Sequence, residues 1–108
     1  MTGAGKPRKR RKRSPGWLSR REYALKLRCE TWGVPYSKVS RAAVFKRDGW
    51  VCKLCGKPID RVVRFPKPLS ASLDHIVPLS HGPGTPGHVM SNCQAAHFGC
   101  NASKGNRV

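Results

Sequence analysis

Cys52-Lys53-Leu54-Cys55-Gly56, answered further along by His97-Phe98-Gly99-Cys100-Asn101, is the pair of stretches from which the fold of this chain is read. A Cys-x2-Cys turn aims two sulfurs the same way, and His97-x2-Cys100 sets its side chains on neighbouring positions of a first helical turn. The four together supply the tetrahedral donor set of a structural Zn2+ site. Cys93 competes for the fourth place. Its separation from Cys100 is long for a knuckle, and a buried small residue explains it more simply, so His97 is preferred. Cys29 has no partner at knuckle spacing and receives no role. Five cysteines with one Cys-x2-Cys fit a metal site in a reducing, intracellular compartment better than a disulfide framework.

A metal staple also answers a problem of size. Of the 108 residues, 1–16 offer almost nothing to bury. The folded part is then small enough that it hides only roughly 60% of its unfolded surface, and such domains ordinarily need a crosslink or an ion.

On the N-terminal side of the knuckle, Ser37 or Ser40 starts a short helix. It carries Val39, Ala42, Ala43 and Phe45 largely on one face, and Asp48-Gly49 ends it. Before it, Ser19 caps a helix reaching about Trp32, with Gly33 and Pro35 as the stop. After the knuckle, residues 50–65 read as a hairpin of short strands and residues 69–79 as a strand bearing Asp74 and His75. Residues 80–87 are rich in Gly and Pro and read as loop, where His81 and His88 are expected to be solvated. A last helix is expected from Ala95 or His97 to Lys104, with Gly105 as its stop.

Charge narrows the class of partner. Twenty-two Lys and Arg stand against five acids, a formal net charge of +17, and a polyanion is the expected partner. Lipid is disfavoured, because there is no run of about 18 apolar residues and no basic amphipathic helix with an aromatic face, and the basic N-terminus lacks the apolar stretch of a secretory signal, so export is not expected. Nucleic acid is the better match, without membrane attachment. The run Lys6, Arg8, Lys9, Arg10, Arg11, Lys12 and Arg13 is expected to be disordered when free and to add salt-dependent phosphate affinity. Arg47, Lys53, Lys104 and Arg107 surround the knuckle and the Asp-His pair in sequence and are candidate phosphate contacts.

Asp74-His75 sets a hard oxygen ligand beside a base of ordinary pKa about 6.5. Neighbouring strand residues face opposite ways, so both reach one phosphate only if the strand ends there, which Pro78 favours. Asn101 follows the ligand Cys100 directly. With Asp74 it offers oxygen donors suited to Mg2+ or Mn2+. Asn92 reads as a brace whose amide ties loop backbone.

RDGWVCKLCG, SLDHIVPLSHG and NCQAAHFGCNASKGNR, taken in order over residues 40–107, resemble the HNH nuclease family with its ββα-metal, or His-Me finger, core. The resemblance implies an α+β fold. It would comprise a disordered arm over 1–16, a helical extension over 17–36 and an HNH nuclease domain over 37–108. It implies DNA hydrolysis with His75 as general base, Asp74 and Asn101 on the catalytic ion and Asn92 as structural. His97 stands where the family usually has cysteine, and Asn101 where it often has histidine. The resemblance further implies a bacterial or phage-infected cytoplasm and phage terminase as a partner in DNA packaging. Two alternatives stand beside this reading: a catalytically inactive zinc-knuckle module that only binds nucleic acid, and a recruiting protein acting through the helix around Tyr23 to Trp32.

Overall fold

A computed structural model describes residues 15–108. The basic run from Lys6 to Arg13 lies outside them. Helix α1 spans Arg20–Trp32, α2 Arg41–Arg47 and α3 Phe98–Lys104, and strands β1 (Ala71–His75) and β2 (Cys93–His97) form one antiparallel sheet. None of these helices is long and apolar enough to cross a membrane.

The starts of α1 and α2 have a local cause. Ser19 Oγ accepts the Glu22 N–H at 3.1 Å, and Ser40 Oγ accepts that of Ala43 at 3.2 Å. Gly33 ends α1 at φ 69°, where its missing Cβ matters, and the N–H of Val34 returns to the Cys29 carbonyl. Ser19-x-x-Glu22 has the spelling of a capping box, in which the glutamate folds back on the cap. Here Glu22 turns inward instead and is only 6% exposed.

The sheet pairs Asp74 with Gln94 and His75 with Cys93, and α3 leaves β2 without a connecting loop. The result is β1, β2 and α3 in chain order, the small α+β core expected from the sequence. Three small apolar clusters hold it. Phe45, Cys52, Ile59, Ala95 and Ala96 lie beneath the knuckle, Leu25, Cys29, Val34 and Leu79 join α1 to the loop after β1, and Val39, Val44 and Cys93 lie between. Cys29, given no role by its spacing, is a core residue.

Two local expectations are corrected. Residues 50–65 form no hairpin of strands, only a single antiparallel bridge between Val51 and Pro58, and turns follow. Pro58 removes a ladder donor from this stretch, and the knuckle turn consumes others. The final helix begins at Phe98, because residues 93–97 are drawn into the sheet by β1.

Candidate metal knuckle and active site

The knuckle is built by a turn on one side and a strand-to-helix junction on the other. The Gly56 N–H closes on the Cys52 carbonyl at 2.8 Å, and Gly56 sits at φ 80°. Sulfurs of Cys52, Cys55 and Cys100 and a ring nitrogen of His97 all lie within 4.8 Å of one another. His97 Nδ1 is 3.3 Å from Cys55 Sγ and 3.9 Å from Cys100 Sγ. These bracket the roughly 3.5 Å that a tetrahedral zinc imposes through bonds of about 2.3 Å to sulfur and 2.0 Å to nitrogen. The opposite nitrogen, Nε2, donates to the Pro58 carbonyl at 3.2 Å, which fixes the tautomer with Nδ1 free for the ion.

The thiols are tuned as a set. Burial pushes Cys52 up, but N–H groups of His97, Cys55 and Leu54 outweigh it and bring the thiol down to about 7. Cys100 is pushed up to about 11 by burial and by its two sulfur neighbours. Three sulfurs and one imidazole converging on one point fit Zn2+, which would hold the sulfurs as thiolates. Cys93 is not among them; it lies buried beside His88, and burial pushes its thiol up to about 12.

The second site is a cleft of about 320 Å³ where β1 ends. It is lined by Asp74, His75 and Asn101, with Arg28 and Trp32 of α1 on its wall. The strand stops at His75, which lets adjacent residues serve one space despite their alternation. Asn101 Nδ2 donates to Ser72 Oγ at 2.9 Å and to the Leu73 carbonyl at 3.2 Å, leaving its oxygen for another partner. Asn92 ties the loop: its amide donates to the Val77 and Gly87 carbonyls at 3.0 and 2.8 Å, and its oxygen accepts the Val77 N–H at 2.9 Å.

Asp74, 3% exposed, is held from two sides. Gln94, its cross-strand partner, donates at 2.8 Å, and Lys104 Nζ lies 3.1 and 2.9 Å from the two carboxylate oxygens. Lys104 also donates to the His75 and Ile76 carbonyls and is 9% exposed. It is therefore a buried pin between α3 and the end of β1, which corrects its expected place among the phosphate grips. Arg47 is partly committed too, donating to Asp48, Met90 and Cys93 across α2 and β2. Arg107 lies exposed against the end of α3, and Lys53 is exposed beside the knuckle.

The loop histidines divide. His81 is exposed, with Nε2 2.6 Å from the Asn106 carbonyl. His88, expected to be solvated, is instead 0% exposed: it is stacked on Tyr36 and has Nδ1 2.9 Å from His75 Nε2. Burial, helped by His88, Arg28 and Lys104 against a pull from Asp74, holds His75 down at about 4. It is an uncharged imidazole at neutral pH. Sequence reasoning missed Glu22, Arg28, His88 and Gln94. Only the register opposite Asp74 would have signalled Gln94, and nothing local signals the others.

A two-stranded sheet and helix with an Asp-His pair at the strand end, an asparagine brace and a metal knuckle at the base define the ββα-metal class of nucleases. The family model described as HNH endonuclease matches residues 52–107, and the chain belongs to that family. Neither curated proteins nor solved structures furnish a match.

Proposed function

We propose that this chain is a metal-dependent DNA endonuclease that hydrolyses phosphodiester bonds of double-stranded DNA, by nicking or by cutting both strands. The observation that carries the reading is one cleft lined by an uncharged His75, Asp74 and Asn101. His75 takes the proton of the attacking water. Asp74 and Asn101 offer hard oxygens that fit Mg2+ or Mn2+, and such an ion, when bound, supplies charge neutralisation at the phosphoryl and leaving oxygens. Gln94 and Lys104 keep the Asp74 carboxylate oriented, and Asn92 holds the loop that leads out of the cleft.

The test is conversion of supercoiled plasmid by zinc-loaded protein with Mg2+ or Mn2+ supplied or withheld. Nicked or linear product only in the presence of the ion supports the reading; plasmid bound but never cut sinks it. The same assay has a pH signature. The neutral, proton-accepting form of His75 is fully present well above pH 4 and is lost only as pH falls through about 4. At saturating DNA the rate at pH 6 should stay within about twofold of that at pH 7.5. A base of ordinary pKa would be roughly three quarters protonated there.

Phosphate contacts are assigned to Arg28, Lys53, Arg107, the exposed part of Arg47 and the run from Lys6 to Arg13. Arg28 is the one whose exposed side chain lines the cleft wall. Arg28→Ala should raise KM several-fold with kcat nearly unchanged. It should also lower the slope of log Kd against log salt by about 1, as expected for one lost phosphate contact. An unchanged slope would place Arg28 off the DNA. The setting we assign is the cytoplasm of a bacterial or phage-infected cell, with phage terminase as partner in DNA packaging.

One observation favours a second reading, a binding module without catalysis. The Lys104 ammonium already neutralises the carboxylate that the catalytic ion needs. Under that reading Lys104→Met confers no cutting, and both proteins retain plasmid intact.

A further inference from the structure

Glu22 lies on α1, well before the first residue that the family match covers. Its carboxylate nevertheless reaches the core. Oε1 accepts the Tyr36 hydroxyl at 2.9 Å and the Val39 N–H at 3.1 Å, and the two oxygens lie 3.3 and 3.2 Å from His88 Nε2. His88 Nδ1 in turn lies 2.9 Å from His75 Nε2. We propose that Glu22 and His88 are positioning residues that set the tautomer of His75 through this buried relay, an inference that rests on His75 being the base.

The direction of each hydrogen bond follows from the acceptor at the far end. The Glu22 carboxyl already accepts from the Tyr36 hydroxyl and the Val39 N–H, and with it accepting here too His88 Nε2 carries a hydrogen and donates. In the proposed relay that is the one ring hydrogen of His88, so its Nδ1 accepts from His75 Nε2–H. His75 Nδ1 is left with its lone pair, the form a proton acceptor needs. Stacking on Tyr36 at 5.5 Å and 14° between planes, and an edge contact with the His75 ring at 5.2 Å, hold His88 in the plane that this relay requires. Glu22 thereby determines which nitrogen of a histidine more than fifty positions away is free. The same logic operates where a buried carboxylate orients a catalytic histidine and its amide replacement selects the wrong tautomer.

Glu22→Gln is the discriminating variant. Its amide oxygen can keep the Tyr36 and Val39 donors, which turns the NH2 toward His88 Nε2. His88 must then accept at Nε2 and donate from Nδ1, and His75 is forced to carry its hydrogen on Nδ1. Long-range 1H–15N spectra of the zinc-loaded full chain should show His75 as the Nε2–H tautomer in the wild type and as Nδ1–H in Glu22→Gln. Plasmid cutting should lose about 10²- to 10⁴-fold in kcat with KM and melting temperature little changed. A wild-type His75 found protonated on Nδ1, or a folded Glu22→Gln variant with undiminished kcat, overturns the proposal. The wild-type spectrum decides it even if the variant does not fold. Wild type that never cuts, yet shows the Nε2–H tautomer, defeats the catalytic reading and leaves the relay standing.

Discussion

Removing the ion from the Cys52, Cys55, His97 and Cys100 cluster should unfold the β1, β2 and α3 core. The magnitudes set this outcome. A structural zinc contributes on the order of 10–16 kcal/mol of apparent binding energy at neutral pH. Net stabilities of whole domains are only about 5–15 kcal/mol. The cluster beneath the knuckle is built of Phe45, Cys52, Ile59 and two alanines, too little apolar volume to replace the ion. Two of its members belong to β2, so losing the knuckle frees the strand that completes the sheet. Chelation, or Cys55→Ser, should therefore abolish the cooperative thermal transition and the slow amide exchange of residues 93–97. Zn2+ should restore both, and Mg2+ should not. A chelated protein that melts at its former temperature would defeat the assignment of a structural ion.

His75→Ala should lower plasmid cutting on the order of 10³-fold, within the range that loss of a positioned general base costs, while Kd for DNA changes less than about twofold. The substitution has a structural side effect that must be separated from the chemical one. It leaves Nδ1 of the fully buried His88 with only the Cys93 sulfur at 3.9 Å, a cost of up to about 1–3 kcal/mol. His75→Gln can return a donor toward His88 yet cannot take a proton from water, so it should recover much of the melting temperature and none of the cutting. Substantial cutting by either variant would remove His75 from the role of base.

What was legible in the sequence was whatever depends on short spacings. Cys52-x2-Cys55 and His97-x2-Cys100 name four ligand atoms because a turn and a helix start each impose a fixed reach, and the four do meet. Ser19 and Ser40 mark helix starts because capping acts over three residues. Strand β2 was not legible: its five residues, two of them alanine, have no strand preference of their own and are extended because β1 offers them a ladder. Lys104 looked like a surface cation, since no sequence pattern announces that Asp74 and two carbonyls will converge on it. His88 and Glu22 failed for the same reason. A histidine in a Gly- and Pro-rich loop and a glutamate three residues after a capping serine each have an ordinary local explanation. Only the meeting of segments 66 positions apart gives them another one.

That meeting has a seam. Gly87, at φ 79°, passes so near the Pro35 carbonyl that a Cβ would come within 2.1 Å of its oxygen. Next to it the His88 N–H donates to the same carbonyl, and Ser37 N–H donates to His88 O, both at 2.9 Å. The segment after α1 and the loop before β2 are thus stitched backbone to backbone through a gap that admits only glycine. For anyone transplanting this domain, the piece to move includes α1 from its Ser19 cap onward. A fragment starting at Cys52 would carry every motif residue and leave behind the wall of its own cleft.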